Sequence, residues 1–154
     1  MLFGFFFLLV VLAALTGNRY KPGDWYSRLQ KPSWTPANWV FPVVWLCLYI
    51  AIALAGWLVA RQDMSAPALI IWCGQLVFNM AWSYLFFGRR SARVALIDIF
   101  LLWLSILMFI GLAWPVSPIA SFLFLPYLAW VSIAMLLNRE IIRMNPREFG
   151  LLAE

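Results

Sequence analysis

The polar side chains best placed to do chemistry are Gln75 and Asn79, which stand inside a long apolar run together with Trp72, Trp82 and Phe86. Positions 72, 75, 79, 82 and 86 step by three and four residues, so on a helix all five share one face. Carboxamides turned toward hydrocarbon are costly, so this face must meet protein, water or a ligand. Counted inward from run ends on the same side, Trp45 lies six residues deep, Trp82 five, and Asn79 and Trp130 eight. Three helices thus bring indole and amide groups to one layer. A buried indole needs a hydrogen-bond acceptor or a stacking surface. The layer reads either as packing core or as the wall of a pocket for an aromatic ligand, and the spacing leaves both open.

Ordinary catalytic groups are missing. The chain has no histidine, which removes the commonest metal ligand and the usual proton carrier near neutral pH. Cys47 and Cys73 each sit alone in an apolar run and read as small buried residues, not as a metal or disulfide pair. Asp98 is the single acid inside a run, and its place beside the basic stretch Arg89 to Arg93 predicts snorkelling toward Arg90 or Arg93. No second carboxylate lies at that depth for acid–base work, and no glycine-rich phosphate loop is present. An enzymatic activity would have to draw its chemistry from a bound ligand.

The elements that carry these residues follow from composition. Of the 154 residues 66% are hydrophobic and 11% charged, outside the range of soluble domains. Five apolar runs cover residues 2–16, 39–60, 67–87, 94–114 and 119–138. None alternates with period two, so each is predicted to be a helix and not a barrel strand. Together they predict an all-α, five-span membrane bundle in a single domain over residues 1–154. The first run would rise only ~22 Å as a helix and must borrow from its flanks to cross a bilayer core of ~30 Å. It reads as a span and not a cleaved leader, lacking a basic start and a clear cleavage site.

Ten of the eleven Lys and Arg residues fall in the first loop, the third loop and the C-terminal segment, leaving Arg61 alone on the other side. That bias predicts an outside N-terminus and a cytoplasmic C-terminus. It accounts for the net charge of +5 without nucleic acid as a partner. Trp39, Trp57, Trp114 and Trp72 fit an interfacial belt, whereas Trp45, Trp82, Trp103 and Trp130 lie too deep for one.

Gly17 to Asn38 is the one long connection, and its aromatic content argues for an ordered lid. Within it, Asp24 is expected to cap a short helix, pair with Arg28 and be followed by a stop at Pro32. Pro32, Pro36 and Pro42 stiffen the approach to the second run, and Pro126 is expected to bend the fifth. Gly74, Ala81 and Gly88 recur every seven residues off the amide face, offering either a dimer seam or a contact inside the bundle.

The stretches WYSRLQKPSWTPANWVFPVVWLCLY, QLVFNMAWSYLFFG and FLPYLAWVSIAMLLN, from Trp25 to Asn138, resemble the TspO/MBR family of tryptophan-rich sensory and translocator proteins. The combined elements K-P-x-W-x-P, F-N-x-x-W and P-Y-x-x-W are specific to it. The resemblance implies a homodimeric five-helix bundle that binds tetrapyrroles such as protoporphyrin IX, with no obligatory cofactor. It implies a pocket roofed by the first loop with Trp34 and walled by Trp39, Trp45, Tyr49, Asn79, Trp82, Tyr127 and Trp130; Gln75 joins these from the amide face. Family accounts also include other hydrophobic aromatic ligands, light-dependent porphyrin degradation, porphyrin or sterol transport, and regulation of stress responses or pigment synthesis. Transport is the weaker reading, since no inverted repeat is visible. In LLNREIIR, Arg139 occupies the tyrosine position of the animal sterol motif, so sterol recognition by that route is not expected. Without histidine, a metal-free porphyrin is expected.

Overall fold

The computed structural model describes residues 2–62 and 65–150, and the described residues form helices and turns without a strand. The helices are α1 (Leu2–Arg19), the short α2 (Asp24–Arg28), α3 (Val40–Ala60), α4 (Ala66–Ser83), α5 (Ala92–Ala113) and α6 (Pro118–Met144). A π-helical turn at Tyr84–Gly88 prolongs α4. Five of these helices are long and apolar enough to span a membrane. They close a ring in the order α1, α3, α6, α5, α4, with α4 returning to α1.

α1 takes its missing length from Gly17 to Arg19 and reaches 18 residues, or about 27 Å. α6 runs 27 residues through Pro126, six beyond its apolar run, so its final turns reach past the spans. Pro126 stands exposed on the outer side of that helix, where its missing N–H leaves no group stranded inside the bundle.

At the end of the bundle opposite the first loop the packing is tight. Trp72 is fully buried, donates its indole N–H to the carbonyl of Ile52 at 2.9 Å, and meets Phe6 edge-on at 5.0 Å. It is a core residue, not the belt residue its position suggested. Gly56 makes this possible, because a Cβ there would lie 2.6 Å from Trp72 Cε2 and 2.7 Å from Phe6 Cδ1. Gly56→Ala should therefore destabilise the bundle by about 1–3 kcal/mol, as overpacking does elsewhere. Thermal denaturation in detergent would read this as a lowered midpoint.

Several local expectations change. Cys47 and Cys73 are exposed on outward faces, where a small apolar side chain meets lipid without penalty. Asp24 is the first residue of α2, not its cap, and its side chain makes no capping bond. Among the described residues the one ion pair joins Arg143 to Glu140 at 3.0 Å, so neither Asp24–Arg28 nor a link from Asp98 to Arg90 or Arg93 forms. Asp98 lies on the inward stripe of α5 and is buried, while Arg93 points out. Of the seven-residue repeat, Gly74 has open space beside it, but a Cβ on Gly88 would meet the rings of Tyr20 and Tyr84 at 3.0 Å. The π turn adds a residue to the helical count and carries Gly88 away from the other two.

Candidate functional site

The first-loop end of the bundle holds a cavity of about 640 Å³ to which all five spans and the first loop contribute. It exists because the helices cannot close there. α3 presents Phe41, Trp45 and Tyr49 at four-residue spacing, α6 presents Trp130, Ala134 and Asn138 likewise, and the large rings of Phe41, Trp45, Tyr49 and Trp130 share the lining with the small or polar Ala134 and Asn138. The π turn supplies a third wall. Arg89 donates its backbone N–H to Tyr84 five residues back, at 2.8 Å, and the widened turn lets the consecutive Phe86 and Phe87 both border the cavity.

The walls are aromatic and interlocked. Trp82 stacks on Phe86 with centroids 5.2 Å apart at 20°, Trp45 stacks on Tyr49 at 5.2 Å, and Phe41 meets Trp130 edge-on at 5.4 Å. Below this layer runs a chain of hydrogen bonds. Tyr49 OH donates to Asn79 Oδ1 (3.2 Å), Asn79 Nδ2 donates to Tyr127 OH (2.9 Å), and Tyr127 OH donates to Gln75 Oε1 (3.0 Å). The chain fixes Asn79 at the cavity floor, while Gln75 and Tyr127 lie fully buried behind it.

Among the described residues, two buried donors in the walls have no acceptor. The indole N–H groups of Trp82 and Trp130 are buried and unpaired, a state that native interiors rarely tolerate. Among the described residues Lys21 from the first loop is the one cationic side chain on the lining, joined at the rim by Tyr20, Pro22 and Tyr26. Burial raises the pKa of Tyr26 above that of an ordinary phenol, so its hydroxyl stays neutral. The arrangement suits a large flat apolar molecule with acceptor atoms and an anionic edge.

The structure thus brings Trp45, Tyr49, Asn79, Trp82 and Trp130 onto one cavity and sets Gln75 and Tyr127 in the layer beneath. It leaves Trp34 and Trp39 off the lining, at 48% and 70% exposure. From the first loop the roof takes Tyr20 to Pro22, Tyr26 and Asn38, but not Trp34. Trp103 is a packing residue, its indole N–H bonded to Ser132 Oγ at 2.9 Å. Sequence reasoning missed Phe41 and Asn138, although four-residue steps from Trp45 and Trp130 would have found both.

Comparison with known proteins agrees with this architecture. The chain matches the TspO/MBR family over residues 5–144. It is 36% identical over 151 residues to Protein CrtK of Rhodobacter capsulatus, covering 96% of this chain and 94% of that one. It is 40% identical over 134 residues to the tryptophan-rich protein TspO of Chlorobaculum tepidum, covering 82% and 83%. To the human translocator protein it is 38% identical over 149 residues, covering 91% and 88%. With five apolar spans and a match over nearly its whole length, this multi-pass integral membrane protein belongs to the TspO/MBR family.

Proposed function

We propose that the cavity binds a tetrapyrrole of the protoporphyrin IX type, with the macrocycle against Trp45, Trp82 and Trp130 and a propionate drawn to Lys21. The observation that carries this reading is the aromatic-walled cavity of about 640 Å³ whose two indole N–H groups lack acceptors. Its size falls in the range of small-molecule sites. Ring faces favour a planar aromatic guest, and a carboxylate would satisfy the rim cation. The chain offers no histidine as an axial ligand, which favours the metal-free ring. The Lys and Arg bias supports a cavity mouth on the cytoplasmic side, with the N-terminus outside. For a homodimer, the outward face of α4 around Gly74, open to a close helix approach, is the contact we favour.

Titration of protoporphyrin against tryptophan fluorescence, corrected for the inner-filter effect, tests the binding. Saturation at one porphyrin per chain is expected. Linear uptake matching that of empty detergent micelles would overturn the reading. The exposed Trp34 supplies a control, since it borders lipid or water and not the cavity. Trp34→Ala is expected to leave porphyrin affinity within about twofold, a difference under ~0.4 kcal/mol.

A further inference from the structure

α2 has five residues, too short to hold a helix by its own hydrogen bonds. Tertiary contacts must therefore set its position, and they divide into two groups. Leu29 and Trp25, four residues apart, sink into an apolar cluster with Phe86, Leu137 and Ile141. A separate set of polar contacts ties α2 to the C-terminal segment beyond α6. Trp25 Nε1 donates to Glu148 Oε1 at 2.6 Å, and Phe149 meets the Trp25 ring edge-on at 6.2 Å. Asn145 clasps the backbone of Gln30 from both sides, accepting its N–H at 2.9 Å and donating to its carbonyl at 2.9 Å. The guanidinium of Arg90 sits 6.0 Å from the centre of the same indole, and Arg90 has a left-handed backbone with φ of 53°. Non-glycine residues hold that conformation where surrounding contacts over-determine it.

None of Asn145, Glu148, Phe149 and Arg90 borders the cavity, yet Tyr26, the residue after Trp25, does. We propose that the C-terminal segment is a latch: Glu148 and Asn145 hold α2 over the cavity mouth, and their release, not separation of the spans, opens the cavity to its ligand. This rests on the reading that the cavity is the ligand site. Glu148 and Asn145 are positioning residues, acting through Trp25 and Gln30. Glu148 is exposed and its charge-assisted bond to the indole N–H lies outside the spans, so it can break and re-form without disturbing the membrane-embedded packing.

The test is hydrogen exchange of the full-length protein in detergent, comparing wild type with Asn145→Ala/Glu148→Ala. Amides of Trp25 to Gln30 are expected to exchange about tenfold faster in the variant, with the spans unchanged. Glu148→Gln alone, which keeps an acceptor for Trp25, should restore most of the protection. Association and dissociation rates of protoporphyrin should both rise in the double variant, with affinity changed less than either rate. Unchanged exchange in α2, or an equal rise throughout the spans, would overturn the latch. Faster exchange with unaltered porphyrin rates would overturn its role as a gate. If wild type takes up no porphyrin, the ligand reading fails while the exchange comparison still decides whether the C-terminal segment holds α2.

Discussion

Tyr127→Phe should destabilise the bundle by about 2–4 kcal/mol while removing a single oxygen atom. The hydroxyl both accepts from Asn79 Nδ2 and donates to Gln75 Oε1, and Tyr127 is fully buried. Its loss strands two buried polar groups, each at ~1–3 kcal/mol. Gln75 has no slack to absorb the change, because its Nε2 already lacks a partner. Tyr49→Phe is the matched control. It removes a 3.2 Å bond at the cavity edge, where water can replace the lost donor to Asn79, and should destabilise by less than ~1 kcal/mol. Denaturation of both variants under one set of detergent conditions checks the ordering. Equal, small losses would mean that the chain of hydrogen bonds does not hold the floor of the cavity. Porphyrin affinity should also fall severalfold in Tyr127→Phe, since Asn79, left with only the longer bond from Tyr49, no longer presents a fixed surface.

Much of this arrangement was legible in the chain because apolar runs in a membrane protein report element positions directly. The amide and indole stripe of α4 was readable from three-four spacing, and a regular helix delivers Trp72, Gln75 and Asn79 to one face. Depth counting found the layer shared by Trp45, Trp82 and Trp130 because the spans are antiparallel rods of similar rise. What was not legible depends on departures from that regularity. The π turn at Tyr84–Gly88 has no signature in composition, and it breaks the seven-residue register that Gly88 was expected to keep with Gly74 and Ala81. The first loop was expected to roof the pocket with Trp34. The cavity instead meets Tyr20 to Pro22 and Tyr26, because α2 is held by residues more than a hundred positions away. Asp98 was assigned a neighbour in sequence, whereas the helix turns it inward. Pairings between distant segments are not encoded in local pattern.

The proposed binding site rests most heavily on two indoles from adjacent walls of the cavity. Trp45 comes from α3 and Trp130 from α6, so no rearrangement of one helix can replace both, and each supplies a ring face or edge to the cavity. A lost aromatic contact with its buried area is worth about 1.4 kcal/mol, or tenfold in affinity, per wall. The two sites lie on different helices and their losses should add if they do not couple. Protoporphyrin titration of Trp45→Ala/Trp130→Ala, beside wild type and checked for an unaltered helical spectrum, is the most direct measurement. Affinity weaker by about 100-fold is expected, with each single variant near tenfold. Wild-type affinity in the folded double variant would contradict this expectation and place any porphyrin outside this cavity.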